Sequence, residues 1–193
     1  MQNNIDTDII IPMHRYVMAE KSEIHHYAFE HLRYFSDGTK RPDFILNKTH
    51  YEESKILVVG HNFGCGSSRE AAVWAISGLG IKCIIGLSFG TIFANNCFEN
   101  GILVITLPTD ELVSLAKAAQ FNHEACEFKV SLKQNTICSS EKQLWNFKVP
   151  DHRRSQLLAG LDSIGMTMKK TNNIDEFQKL DKLCRPWVYI NIN

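Results

Sequence analysis

The chain has 193 residues, with 21 lysines and arginines against 21 aspartates and glutamates and a hydrophobic fraction of 44%. This length and composition are typical of a single globular domain with a sizeable core. The balanced charge, with basic residues scattered along the chain, excludes the electrostatic footprint of most nucleic-acid-binding proteins, so we expect no nucleic-acid partner. No apolar stretch approaches the roughly 18 residues of a membrane span, so we expect no membrane association.

The six cysteines predict no metal site in this chain. Their spacings contain no C-x-x-C pair and none of the cysteine–histidine groupings typical of zinc or iron–sulfur proteins. The polar run from Gln2 to Asn4 after the initial methionine predicts that there is no signal peptide. We therefore expect a cytoplasmic protein with reduced cysteines.

The first forty residues predict short elements in an irregular region. Asp6 and Asp8 precede an apolar run at residues 9–11, which predicts a strand or the end of one. Residues 13–35 are rich in histidine and aromatic side chains and show no clean period. A helix starting near Ser22, with that serine as N-cap, is the expected element there.

The centre of the chain predicts a parallel sheet covered by helices. Strands are predicted at 55–60, 82–87 and 102–107, and helices at 71–76, 90–98 and 110–119. Thr109 is the expected N-cap of the last of these helices. Alternation of this kind indicates an α/β fold with a mainly parallel sheet. From residue 127 the apolar period changes to two, which predicts an antiparallel ribbon, followed by a helix over 152–160 and a C-terminal helix and tail.

A glycine-rich stretch, the glycine loop (residues 64–69), follows the first of these strands. Gly64 and Gly66 allow the backbone to approach a ligand closely. Ser67 and Ser68 stand where the next helix begins, and Arg69 follows within its first turn. Backbone N–H groups, hydroxyls and a guanidinium converge there, which predicts a site for a carboxylate or phosphate.

The glycine loop fits none of the common nucleotide or hydrolase motifs. A Walker loop requires a lysine, a dinucleotide fingerprint requires a glycine where Arg69 stands, and a hydrolase elbow requires G-x-S-x-G. A simple glycine turn with a good N-cap is the competing interpretation. Arg69 favours a binding site, because a cation at the positive end of a helix dipole calls for a compensating anion.

Three motifs stand in order along the chain: N-I-D-T-D at 4–8 with I-I-P at 10–12, N-F-G-C-G-S-S-R-E at 62–70, and S-F at 88–89 with I-F-A-N-N-C at 92–97. Together with G-L-D-S-I-G at 160–165 they resemble the small subunit of bacterial 3-isopropylmalate dehydratase. That family is the detached swivelling domain of the aconitase superfamily. The resemblance implies one swivel domain over residues 1–193, with a flexible specificity segment at 13–40 and a C-terminal extension at 165–193.

The resemblance also implies an activity. It is that of a hydro-lyase of leucine biosynthesis, which converts 2-isopropylmalate, a small dicarboxylic hydroxy acid, into 3-isopropylmalate through the dehydrated intermediate. The [4Fe–4S] cluster is expected on a large subunit, with which this chain forms a heterodimer or heterotetramer and without which it is inactive. By resemblance, Ser67 is the base, acting as an alkoxide, Arg69 and Ser68 bind the substrate with the N–H groups of the glycine loop, and Asp8 orients an arginine or the loop.

The sequence departs from the family pattern beside these motifs. His61 stands where the family usually has an acidic residue, and Ala71 and Ala72 replace a His-Ala pair. These departures leave open a related diacid as substrate (homoaconitate, citraconate or methylmalate, or dimethylmalate) and a non-catalytic carboxylate-binding module. For Asp6, a turn or capping role is as well supported as a role in the site.

Other candidate residues have simpler interpretations. His25, His26 and His31 lack cysteines at a ligand spacing, so we expect solvated side chains rather than a metal site. Cys65 is expected to be a small residue that fills the glycine loop, although a redox or nucleophilic role is conceivable there. Trp74 is expected in the core.

Overall fold

The chain alternates strands and helices through its centre and ends in helices. The computed structural model describes residues 1–67, 69–121 and 127–189. In chain order the strands and α-helices are α1 (Thr7–Ile10), α2 (Met13–Met18), α3 (Glu30–Arg33), β1 (Ile56–Val58), α4 (Glu70–Gly78), β2 (Cys83–Gly86), α5 (Thr91–Glu99), β3 (Leu103–Thr106), α6 (Thr109–Phe121), β4 (Phe128–Ser131), β5 (Thr136–Ser139), β6 (Leu144–Asn146), α7 (Asp151–Ala159), α8 (Ser163–Met168) and α9 (Thr171–Cys184). Short 3-10 helices lie at Ile24–Tyr27, Ile45–Asn47, Thr49–Tyr51 and Pro186–Tyr189.

The parallel sheet has the order β1-β2-β3 in the described residues. Its register pairs Leu57 with Ile84, and Ile84 with Val104. Strand β2 is buried at all of its positions, as expected of a central strand with helices on its faces. The predicted parallel α/β sheet is confirmed.

Helices α4, α5 and α6 follow the three strands. The alanines of α4 are buried, and this helix packs against the 3-10 helix at Ile24–Tyr27, α1 and α5, whereas α5, with its fully buried Phe93, packs against β3. Helix α6 begins at Thr109 itself, so the prediction of that residue as N-cap was wrong by one position.

The antiparallel ribbon is a three-stranded meander of order β4-β5-β6. The period-two pattern indicated its outer strands only. The central strand β5 contains a single large apolar residue, Ile137, which is fully buried and pairs with Val130 and Trp145 on the two sides. The alternation in β5 was therefore too weak to predict a strand.

The N-terminal region differs from its prediction in two places. Residues 9–11 do not form a strand: an Asp6 oxygen accepts the Ile9 N–H at 2.7 Å and caps the single turn α1. The helix expected from Ser22 is a 3-10 helix that begins at Ile24, and Phe29, in the left-handed conformation with φ 57°, separates it from α3. The mobility expected for residues 13–40 stays a prediction.

The C-terminal helices are joined to the α/β core through Glu99 at the end of α5. Its carboxylate accepts hydrogen bonds from Arg153, Gln156 and Ser163. Beyond this junction α9 exposes large apolar side chains, among them Phe177 and Leu183. In the part of the chain that the structure describes, no helix is both long and apolar enough to cross a membrane.

Candidate active site

The glycine loop lies beside the N-I-D-T-D motif at residues 4–8, the aspartate motif. The Gly64 N–H donates to the Ile5 carbonyl at 2.7 Å, and the Thr7 N–H donates to the Cys65 carbonyl at 3.1 Å. These bonds flank a parallel bridge between Asp6 and Cys65. The aspartate motif is therefore joined to the loop by backbone hydrogen bonds across a sequence separation of about sixty residues.

The third motif supports the other side of the loop. The Phe63 N–H donates to the Ser88 carbonyl at 3.1 Å, and the Gly90 N–H donates to the Phe63 carbonyl at 2.9 Å. Gly64 has φ 71°, and a Cβ atom there would overlap the ring of Phe93 in α5. Only glycine fits this position. Because backbone hydrogen bonds join the loop to the other two motifs, the three motifs form one tightly packed structural unit.

Arg69 forms a bidentate ion pair with Asp8. Its Nη1 donates to Oδ1 at 2.6 Å, and its Nη2 donates to Oδ2 at 3.2 Å. The arginine side chain is 20% exposed and the aspartate side chain 53%. The hydrogen bond from Arg69 holds the pKa of Asp8 below its ordinary value, because it favours the ionised carboxylate. Asp8 is thus the compensating anion that the arginine at this helix start requires.

Helix α4 begins one residue before the predicted range of 71–76, and Arg69 precedes its first turn instead of lying within it. Arg69 is its N-cap, and Glu70 is the first helical residue. Ser67 therefore lies in the loop before the helix, where it is exposed. Gly66, immediately before Ser67, has φ 83°, a left-handed conformation that favours glycine. Ser68, a predicted substrate contact, lies outside the described residues.

An open cleft of about 810 Å³ begins at Asp8. It is lined by Asp6, Asp8, Ile9, Pro12, Met13, His14, Val17, Met18 and His31. The cleft is large enough for a small dicarboxylic acid. One wall is α2, whose apolar side chains are exposed, and the other is the turn that carries Asp8.

The described cysteines and histidines do not form a metal centre. In the described ranges, no group of three or more histidine, cysteine or acidic side chains is placed to hold a metal ion. Burial raises the pKa of the Cys83 thiol to about 12 and raises that of Cys97 as well, so both stay protonated thiols. His25 and His26 stack on each other, with their ring centroids 4.0 Å apart.

Two parts of the site were missed by the sequence interpretation. Oε1 of Glu70 accepts hydrogen bonds from Trp74 Nε1 at 3.3 Å and from Asn100 Nδ2 at 3.0 Å. Trp74 is half-buried rather than a full core residue, and Lys21 lies over its ring. The i, i+4 spacing of Glu70 and Trp74 was a readable signal for the first contact, whereas nothing local indicated the second.

The fold and the loop define a class: an α/β domain with a glycine-rich loop between a strand and a helix, joined to the aspartate motif from which an open cleft begins. The family model described as the aconitase C-terminal domain matches residues 1–110. A curated relative from Roseobacter denitrificans is 43% identical over 185 residues, covering 96% of this chain and 92% of the relative. One from Ruegeria pomeroyi is 46% identical with the same coverage.

Both relatives are named 3-isopropylmalate dehydratase small subunit. A crystal structure of 3-isopropylmalate dehydratase from Methanocaldococcus jannaschii superposes with a TM-score of 0.65 at 26% identity, covering 90% of this chain and 93% of that one. The chain belongs to the 3-isopropylmalate dehydratase small-subunit family. The resemblance drawn from the three motifs, and the aconitase-type swivel fold that it implied, are confirmed.

Proposed function

We propose that this chain is the small subunit of a hydro-lyase that converts 2-isopropylmalate into 3-isopropylmalate by dehydration and rehydration in leucine biosynthesis. Its partner is a large subunit that carries a [4Fe–4S] cluster, in a cytoplasmic heterodimer or heterotetramer. The observation that carries this proposal is the bidentate ion pair of Arg69, two residues after Ser67 in the chain, with Asp8, which lines an open cleft. The names of the relatives supply the substrate and the need for a second subunit.

Arg69 holds a substrate carboxylate in this proposal. Asp8 engages Nη1 and Nη2 from one side, which leaves Nε and the remaining N–H donors of the guanidinium for a ligand. Because Asp8 fixes the plane of the guanidinium before the substrate arrives, the donors are already oriented. Asp8 is therefore a positioning residue in this scheme, and Arg69 is a binding residue.

Ser67 removes the proton from the carbon next to a substrate carboxylate. A free hydroxyl is a poor base, so its oxygen requires donors that stabilise the alkoxide. The guanidinium of Arg69, two residues further along the chain, and loop N–H groups other than that of Gly64, which donates to Ile5, are the donors closest to it in the sequence. The cluster of the large subunit supplies, when bound, the Lewis acid that the departing hydroxide needs.

The large subunit has a second task in this scheme, which is to exclude water. Ser67 is exposed, and the cleft that begins at Asp8 is open. An alkoxide in contact with bulk water would be protonated at once, so covering the loop strengthens each of the interactions that activate the serine. We propose that docking of the large subunit closes this face.

Reconstitution with the large subunit of the same organism tests the proposal. We expect conversion of isopropylmalate by the complex only, and a loss of at least about a hundredfold in kcat for Ser67→Ala with unchanged binding of the partner. Ser114→Ala, an exposed serine of α6, is the matched control. Arg69→Lys keeps the charge but loses the fork, so it is expected to raise KM.

The outcomes separate an enzyme from a binding module. Full activity of the Ser67→Ala complex would favour the non-catalytic carboxylate-binding module, and activity of the small subunit alone would contradict the division of the site. Turnover of homoaconitate, methylmalate and dimethylmalate substrates, measured beside isopropylmalate, tests the substrate. A higher kcat/KM for one of them would replace isopropylmalate in the proposal.

A further inference from the structure

Trp74 has a polar contact on one side and a ring contact on the other. It lies on α4, one turn after Arg69, and its side chain is half-buried against the core. Its Nε1 donates to Glu70 Oε1 at 3.3 Å. The same oxygen accepts Asn100 Nδ2 at 3.0 Å, so the first residue of α4 is held by an adjacent turn and by the end of α5.

The face of the indole ring is covered from the α2 side of the cleft. The ammonium group of Lys21 lies 4.1 Å from the ring centroid, which is a cation–π contact. Tyr16 of α2 packs at 6.3 Å between centroids with an interplanar angle of 52°. Met13 and Val17, on the same short helix, line the cleft next to Asp8.

A second anchor holds α2 from the opposite direction. Arg15 donates to both carboxylate oxygens of Glu30, at 2.9 Å from Nε and 2.5 Å from Nη2, and its guanidinium lies 4.5 Å from the ring centroid of Tyr27. This anchor joins α2 to its own following segment. The Trp74 contacts, in contrast, join α2 to the helix that begins at the glycine loop.

We propose that Trp74 is a positioning residue that couples the apolar wall of the cleft to the start of α4. Through the indole N–H and Glu70 it fixes the helix start that carries Arg69, and through its ring it fixes α2. The proposal rests on the proposed function, because it assigns α2 and Arg69 at the start of α4 to the binding of one substrate. It adds that carboxylate binding and discrimination of the substrate side group depend on one shared side chain.

Three variants in the reconstituted complex separate the two contacts. Trp74→Phe keeps a ring but removes the N–H donor, and we expect KM to rise about three- to tenfold with kcat within about twofold, the size of one hydrogen bond. Lys21→Met removes the cation that covers the ring. It is expected to change the kcat/KM ratio between isopropylmalate and a methyl-substituted malate by about two- to fivefold, with little change in KM for the smaller substrate. Trp74→Leu is expected to show both effects.

Matched controls distinguish positioning from general stability. Trp145→Phe alters a buried tryptophan of the second sheet, and Trp187→Phe alters an exposed one near the C-terminus. A purely structural tryptophan lowers the fraction of active enzyme, and hence the apparent kcat, but leaves KM and the substrate ratio unchanged. Unchanged KM in Trp74→Phe, or a shift in KM as large in the Trp145→Phe control, would overturn the proposal.

Fluorescence keeps this test independent of the proposed function. In a chain with Trp145→Phe and Trp187→Phe, Trp74 is the remaining tryptophan. We expect the Lys21→Met substitution to change the emission of Trp74 in this single-tryptophan chain. We also expect added malate to change the emission, but not when the chain carries Arg69→Lys. If the wild-type complex converts no isopropylmalate, the proposed function fails, and the Trp74 emission still decides whether Trp74 couples α2 to the start of α4. Emission that changes neither with Lys21→Met nor on addition of malate would refute the coupling.

Discussion

Replacement of Asp8 by asparagine removes one charge and leaves nearly the same shape. In Asp8→Asn the amide oxygen can still accept one hydrogen bond from Arg69, but the amide NH2 group faces the other guanidinium nitrogen, donor against donor. The guanidinium then loses its fixed plane and its ion-pair partner at the start of α4. We expect the loss to appear in substrate binding and turnover rather than in folding.

The magnitude follows from the exposure of the pair. Because the Asp8 side chain is 53% exposed, solvent screens the ion pair and its contribution to the free energy of unfolding is below about 1 kcal/mol. The orienting effect on Arg69 is larger, since hydrogen bonds to charged groups contribute about 1.5–3 kcal/mol and half-exposure favours the lower end. We therefore expect kcat/KM to fall about ten- to thirtyfold.

The assay follows the unsaturated intermediate by ultraviolet absorbance with the reconstituted complex. Asp181→Asn is the control, because Asp181 of α9 also pairs with an arginine, Arg185 just after that helix, at 2.6 Å from Nε to Oδ1 and away from the loop. Equal kcat/KM values for Asp8→Asn and wild type, in preparations that bind the large subunit equally, would refute the orienting role of Asp8.

Acid conditions give a second readout of the same pair. The hydrogen bond from Arg69 lowers the pKa of Asp8 from its ordinary value. A depressed pKa means that the small stabilising contribution is complete above the unfolded value and is lost as the pH falls through the folded value. Asp8 thus remains ionised near neutrality. Asp8→Asn should therefore lower the free energy of unfolding by a constant small amount, below about 1 kcal/mol, near neutral pH, and this difference from wild type should disappear as the pH falls below about 4.

Two further variants test the supports of the site. Gly64→Ala places a Cβ atom in the ring of Phe93 at a φ of 71°, so urea unfolding should show a loss of about 2–5 kcal/mol, whereas Gly38→Ala, with open space at φ 82°, isolates the backbone strain at about 1 kcal/mol. Equal losses for the two would contradict the packing argument. Glu99→Gln weakens the bonds from Ser163 and Arg153, so we expect a loss of about 1–2 kcal/mol and faster proteolysis after α7, with unchanged proteolysis counting against this junction.

The sheet could be predicted because its strands carry their own signal. Continuous β-branched runs that end in glycine or polar residues are typical of buried parallel strands, and a helix follows each strand as predicted, although α4 and α6 are longer than the predicted ranges. The same signal failed at residues 9–11. There a side-chain cap from Asp6 outweighs the strand preference of three isoleucines, and the resulting turn is stabilised by the burial of Ile10 and Ile11.

The glycine loop could be predicted from the sequence, but the partner of its arginine could be predicted only in part. The sequence shows that an arginine at a helix start needs an anion, and this requirement pointed to a ligand. The structure supplies that anion from Asp8, 61 residues earlier in the chain. No local pattern encodes a pairing at that separation, and only the backbone bonds between the aspartate motif and the glycine loop bring the two side chains together. The contacts of Trp74 with Lys21 were hidden for the same reason.

This pairing changes the role that the substrate has at the site. If Arg69 had no internal partner, the loop would need a bound carboxylate to offset the charge at the helix start, and substrate binding would include the free energy of ordering the loop. Because Asp8 already compensates the charge and Gly64 fixes the backbone, the arginine is oriented before binding. What the exposed Ser67 lacks is a covered, water-free environment. In the proposed complex the large subunit therefore completes the site by enclosing a loop whose shape this chain has already set.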